Sequence, residues 1–168
     1  TSEEIQQVAA AHGWSLDGIE LFELGAAESA LGLSDQQTVF DPSEIEFRQT
    51  AAALAEQVRR VEPERAVFDS MSELMLLAHG PLAFRRELLQ LKRLLMARGV
   101  TALFLSDGTK PDGDLHVQSL AHGVLTLAEL SPEYGSDRRR LRVRKLRGSS
   151  YRGGYHDFQI RRGGIDVF

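Results

Sequence analysis

The chain contains no cysteine, which excludes disulfides and thiolate metal sites together. No apolar run approaches the roughly 18 residues needed to span a bilayer, and the first residues lack the charged-then-apolar pattern of a secretion leader. Those two absences set the expectation of a soluble, cytoplasmic protein with no membrane partner. Lysine is scarce: Lys92, Lys110 and Lys145 follow Leu91, Thr109 and Arg144. None follows a glycine, so the loop G-x-x-x-x-G-K-[ST], whose backbone amides wrap phosphates, does not occur in these residues. Ser70 has no G-x-S-x-G context, so a nucleophile elbow is not visible either.

What is present is ordinary in bulk and uneven in distribution. At 168 residues, 42% hydrophobic and 26% charged, the sequence suits one soluble domain with a core of its own. The net charge of −4 hides a split: from Asp137 onward ten Lys or Arg face three Asp, leaving the first 136 residues strongly acidic. Such an asymmetry fits an anionic ligand, a nucleic acid or an acidic neighbouring subunit.

The pattern along the chain predicts an α/β fold with mainly parallel pairing, followed by a β-rich C-terminal third. "TSEEIQQVAAAHG" reads as a helix with a Thr1–Glu4 capping box and a Gly13 stop. "IELFEL", Ile19 to Leu24, reads as a short strand and Gly25 to Pro42 as a loop. Ser43 with Glu46 opens a second helix, whose Phe47, Ala51, Leu54, Ala55 and Val58 share one face. Two compact apolar strands, "RAVFDSM" (Arg65 to Met71) and "VTALFLSD" (Val100 to Asp107), flank a helix marked by Phe84, Leu88, Leu91 and Leu95 and ended by Gly99. "GTKPDGD" is a turn-rich connection, after which "GVLTLAEL", "RRLRVRKLRG", "YHDFQI" and "IDVF" read as four strands.

In open α/β sheets ligands bind beyond the carboxyl ends of the strands, which places Asp69, Ser70, Ser106 and Asp107 at the expected site. Asp69 after "AVF" has the form of a Walker B carboxylate, which holds Mg²⁺ directly or through water. On "RRRLRVRKLRG", alternation sets Leu141 and Val143 on one face together with Lys145 and Arg147, and Arg140, Arg142 and Arg144 on the other. The apolar face thus runs on into two cations suited to an anion, while the three arginines form a solvated face. His116 and His122, near Asp107, Asp112 and Asp114, match no established metal spacing and read as turn and surface residues.

Taken together, these segments resemble the circadian-clock KaiC family of RecA-like ATPases. "TSEEIQQVAAAHGWSLDGIELFEL" is similar to the helix and strand after the family's catalytic glutamate pair, and "RAVFDSMSEL" to its Walker B strand. "FRRELLQLKRLLMARGVTALFLSD" is similar to the next helix and strand, and "KLRGSSYRGGYHDFQIRRGGIDVF" to the C-terminal signature. The resemblance covers the latter portion of a family domain. It implies one partial domain, with 1–107 an α/β core remnant and 108–168 the C-terminal β region, and with the first strand, the Walker A loop and the paired glutamates expected before Thr1.

It further implies that Asp69 is the Walker B Asp and holds Mg²⁺ through water, with Ser70 beside the nucleotide. Lys145 and Arg147 would reach the phosphates of ATP on the adjacent subunit, with Ser149 and Tyr151 near that nucleotide; the family has His where Tyr151 stands. The cofactors implied are ATP and Mg²⁺ in the complete protein, with neither expected on these residues alone. The implied partners are further copies of the chain in a hexameric ring, and signalling or clock proteins. In clock members an adjacent Ser and Thr are phosphorylated in a segment resembling "DLHVQSLAHG". Here the pair reads Gln118 and Ser119, so Ser119 is the one candidate phosphoacceptor, and a KaiC-like ATPase outside the clock proper is expected rather than a two-phosphate autokinase.

Two readings from other classes stand beside it: "RRRLRVRKLRG" with "YRGGYHDF" as a single-stranded nucleic-acid surface, and a regulatory module that only oligomerises. The resemblance also predicts a seam. The strand expected before Thr1 would lie between Val100–Asp107 and the C-terminal β region, leaving unpaired backbone groups closed by rearrangement or by exchange with a second copy, unless proteolysis removed that strand.

Overall fold

The computed structural model describes residues 1–23, 42–78, 80–107 and 117–168. They fall into two compact units, 23–120 and 1–22 with 121–168.

In the first unit, helix α2 (Pro42–Val61) leads through Glu62, at φ 47°, into strand β1 (Arg65–Phe68). Helix α3 (Met71–Leu77) and helix α4 (Pro81–Ala97) follow, then strand β2 (Thr101–Phe104). β1 and β2 pair in parallel with Phe68 opposite Phe104, as expected of an α/β core. Alternation along both strands turns Ala66, Phe68, Ala102 and Phe104 toward the helices. There Leu54 and Val58 of α2, Met71 and Leu74 of α3, and Phe84, Leu88 and Leu95 of α4 form one buried cluster with Phe68. The spacing of those α2 and α4 residues is the helical period read from the sequence. Pro81 suits the first position of α4 because the N–H it lacks would have no partner there. Gly99, at φ 68°, ends the helix as Val100 N–H reaches back to the Leu95 carbonyl.

Several boundaries differ from the sequence reading. Ile19 to Glu23 form no strand; a strand needs a ladder partner, and none is present among the described residues. Leu24, the loop to Asp41 and the 108–116 connection lie outside the described residues, as do the side chains of the Ser43–Glu46 capping box. β1 stops at Phe68 and Met71 instead opens α3, where its side chain is buried. An apolar Met cannot by itself distinguish a strand end from a helix start. Residues 117–120 form a single helical turn that the sequence reading did not foresee.

In the second unit, helix α1 (Ser2–His12) carries the expected Thr1–Glu4 capping box and ends on Gly13 at φ 70°. Strands β3 (Gly123–Leu130), β4 (Arg138–Leu146), β5 (His156–Arg161) and β6 (Gly164–Val167) form an antiparallel meander in chain order. These are the four strands read from the sequence. His12 Nδ1 lies 3.3 Å from the Arg161 carbonyl, and the His12 ring stacks on Trp14, which ties the end of α1 to the β5–β6 hairpin. Among the described residues no ladder joins the two sheets.

Candidate functional site

The candidate residues gather at two places, one in each unit. In the first, β1 and β2 deliver Asp69, Ser70, Ser106 and Asp107 past their carboxyl ends. The parallel ladder is prolonged there: Leu105 N–H donates to the Phe68 carbonyl at 3.0 Å and Met71 N–H to the Leu105 carbonyl at 2.9 Å. Asp69 is exposed, the peptide bond joining it to Ser70 is cis, and Ser70 caps α3 without a side-chain hydrogen bond. Ser72 Oγ donates to Asp107 Oδ1 at 2.7 Å, which ties the start of α3 to the end of β2. Sequence reasoning missed Ser72; its signal was its place three residues past the strand-end Asp. An exposed carboxylate beside hydroxyls at a strand end suits Mg²⁺, which keeps most of its waters and takes one or two carboxylates together with phosphate oxygens.

The second place is the end of β4 and the turn that follows it. Lys145 is half-buried, and Arg147, Ser149 and Tyr151 are exposed. Arg147 N–H donates to the His122 carbonyl at 3.0 Å, and Gly148 at φ 77° turns the chain in a conformation that L side chains rarely adopt. Tyr151 folds back, its hydroxyl donating to the Arg144 carbonyl at 3.1 Å.

That carbonyl belongs to an irregularity which corrects the alternation read from the sequence. β3 pairs Leu125 with Val143 and then Val124 with Lys145, skipping Arg144. One extra residue in a strand is a β-bulge, and it reverses the phase of the side chains beyond it. Cross-strand partners share a face. Lys145 therefore joins Arg142 and Arg140, opposite Val124, Thr126 and Ala128, whereas Leu146 joins Leu141 and Val143. The expectation that Lys145 continues the Leu141–Val143 face is overturned. Arg-Val-Arg-Lys reads identically with or without a bulge.

Ser119 lies in neither group. It is exposed on the 117–120 turn, and its Oγ accepts a hydrogen bond from Arg85 Nη1 at 3.0 Å. Lys92 Nζ donates to the Leu120 carbonyl at 2.6 Å, so two α4 cations hold that turn. A groove of about 380 Å³ between α2 and α4, lined by Leu54, Met71, Phe84 and Leu88 among others, includes none of the candidate residues.

A parallel pair with carboxylates at its strand ends, helices on one face and a separate antiparallel sheet make this a mixed α/β chain with a RecA-like fold. The chain belongs to the KaiC ATPase family, whose model matches residues 1–168. It is 30% identical over 173 residues to a UPF0273 protein of Pyrococcus furiosus, and 29% identical to its counterpart in Pyrococcus horikoshii; each match takes in 98% of this chain and 69% of the relative. A UPF0273 protein of Thermotoga maritima is 29% identical over 93% of the chain and 66% of its own length. Among solved structures, a KaiC-like protein of Pyrococcus horikoshii superposes with a TM-score of 0.67 at 20% identity, covering all of this chain and 72% of that one. No described helix is long and apolar enough to cross a membrane.

Proposed function

We propose that these residues form part of an ATP-hydrolysing domain that works between subunits, with Asp69 acting on the nucleotide of its own subunit and Lys145 and Arg147 on that of a neighbour. The observation that carries the reading is the division of the candidate residues. The Mg²⁺-suited carboxylate sits at the end of the parallel pair, Lys145 near the end of β4 and Arg147 on the turn after it belong to the other unit, and no phosphate-wrapping loop occurs among the 168 residues. Mg²⁺, when bound, neutralises charge on the phosphate oxygens. Asp69 would hold it through water, with Ser70 next to the phosphates. Lys145 supplies a point charge and Arg147 a fork of donors to the charge that develops on the transferred phosphoryl group. The Arg147 backbone is pinned to the His122 carbonyl, which fixes the point on the turn from which that fork extends. Ser149 and Tyr151 continue the turn along the same nucleotide.

Cations given in trans make hydrolysis depend on assembly, and they lead to a specific test in the full-length protein. Asp69→Ala and Arg147→Ala each lower phosphate release, the second by about 10³-fold or more if Arg147 acts as an arginine finger. Mixing the two inactive variants restores part of the activity, because some interfaces then join an intact Asp69 to an intact Arg147. Wild-type hydrolysis by both variants, or no recovery on mixing, overturns the reading. These 168 residues alone are expected to release no phosphate. Ser119 is the place to look for an autokinase product, because Arg85 already points at its hydroxyl and would pair with a phosphate there. ATP-dependent phosphate incorporation that Ser119→Ala fails to remove would reject it.

A further inference from the structure

We propose that the face of β4 carrying Arg140 and Arg142, together with Tyr155 just before β5, binds single-stranded nucleic acid, independently of the nucleotide reading above. β4 is an interior strand of the sheet, paired on both sides. Its register sets Arg142 opposite Thr126 and Arg140 opposite Ala128, so two long cationic side chains rise beside small neighbours. The same face holds Asp157, opposite Arg140, but Asp157 Oδ2 takes the guanidinium of Arg138. Further along, Arg161 is paired with Asp166. Among the described residues Arg140 and Arg142 have no carboxylate partner, and Arg140 Nε, buried, has no hydrogen-bond partner at all.

What the two arginines contact is an aromatic ring. The Arg140 guanidinium carbon lies 4.5 Å from the Tyr155 centroid and that of Arg142 5.5 Å, while Tyr155 keeps 52% of its surface exposed. A ring held by two cations is oriented in advance and still open to a planar ligand. Arg140 and Arg142 are two residues apart, about 6.7 Å along the strand, so they suit a chain of anions better than a single one. Phosphates for the guanidinium groups and a base for the ring are the two halves of single-strand recognition. A duplex keeps its base faces stacked away from such a ring, and an acidic peptide would leave the ring without a role.

The test uses the 168-residue chain with a fluorescent oligothymidylate, the matching duplex and heparin, read by anisotropy over a salt series. Expected is binding to the single strand that weakens with salt, with Arg142→Gln flattening the logarithmic slope by about 0.7, the share of one phosphate contact on a single strand. Tyr155→Leu weakens binding by about tenfold with the slope unchanged, and Tyr155→Phe restores it. Circular dichroism of each variant shows whether the sheet persists; Arg142 is exposed, so its replacement leaves the fold intact. Absence of binding at low salt overturns the proposal. So does equal affinity for heparin and duplex with no effect of Tyr155→Leu, which is plain polyanion attraction. Loss of binding in Arg147→Ala with none in Arg142→Gln also overturns it, since the cations after β4 would then be the ones capturing the strand.

Discussion

Arg147 and Gly148 show how much one backbone angle decides. The side chain of Arg147 projects from a turn that closes only because Gly148 adopts φ 77°, and any Cβ there meets the left-handed penalty of about 1 kcal/mol or more. Gly148→Ala is expected to lower the melting temperature modestly, yet to reduce phosphate release by the assembled protein far more than the lost stability accounts for. Equal losses in both would reduce Gly148 to a folding role. In the core, Phe84 is 2% exposed and belongs to the buried cluster shared by α2, α3, α4 and β1. Phe84→Ala should destabilise by about 3–5 kcal/mol, measured as a shift of the denaturation midpoint. Phe84, Leu88 and Leu95 were legible because a helical period, kept over about three turns, leaves one face for the core. Tyr155 was legible only as an aromatic near cations; its contact with Arg140 and Arg142 depends on β4–β5 register, which no local pattern encodes.

Elements extend the same contrast. The helices α1, α2 and α4 and the four C-terminal strands could be read because capping residues, periodicity and glycine turns agree with one another. The β4 bulge could not, since a skipped residue becomes visible only when two strands are paired. It nonetheless decides which face Lys145 joins. The 117–120 turn is a second case: it exists because α4 holds it, with Lys92 donating to the last carbonyl and Val117 and Leu120 packing on the core. Lys92→Met keeps the side-chain length and removes the charge-assisted bond, a contribution of about 1.5–3 kcal/mol. Amide exchange across 117–120 should then quicken by about tenfold or more relative to that within α4. Unchanged protection would mean that apolar packing alone fixes the turn.

At the level of the whole molecule, both sheets leave apolar surface open. Parallel strands are ordinarily covered on both faces; among the described residues the Phe68–Phe104 side of β1 and β2 packs on the helices, while Val67, Leu103 and Leu105 stay exposed. The antiparallel sheet exposes Leu125, Leu127, Ile160, Ile165 and Val167 as well. Exposed apolar surface of that kind favours association. In sedimentation velocity the 168-residue chain should grow heavier than its 18.7 kDa monomer as concentration rises, and Val67→Ser with Leu103→Ser should reduce the effect. A monomer at all concentrations would show that these faces are covered by other means. The sequence by itself determined the α/β class, helices α1, α2 and α4, the C-terminal strands, the strand-end carboxylates and the lack of a phosphate loop, because these rest on residue type and on spacing within a few turns of chain. Tertiary structure decided the bulge, the pairing of Tyr155 with two arginines, the grip of α4 on Ser119 and Leu120, and the assignment of carboxylates and cations to different units. Each of those depends on contacts between residues far apart in the chain, where local periodicity carries no information.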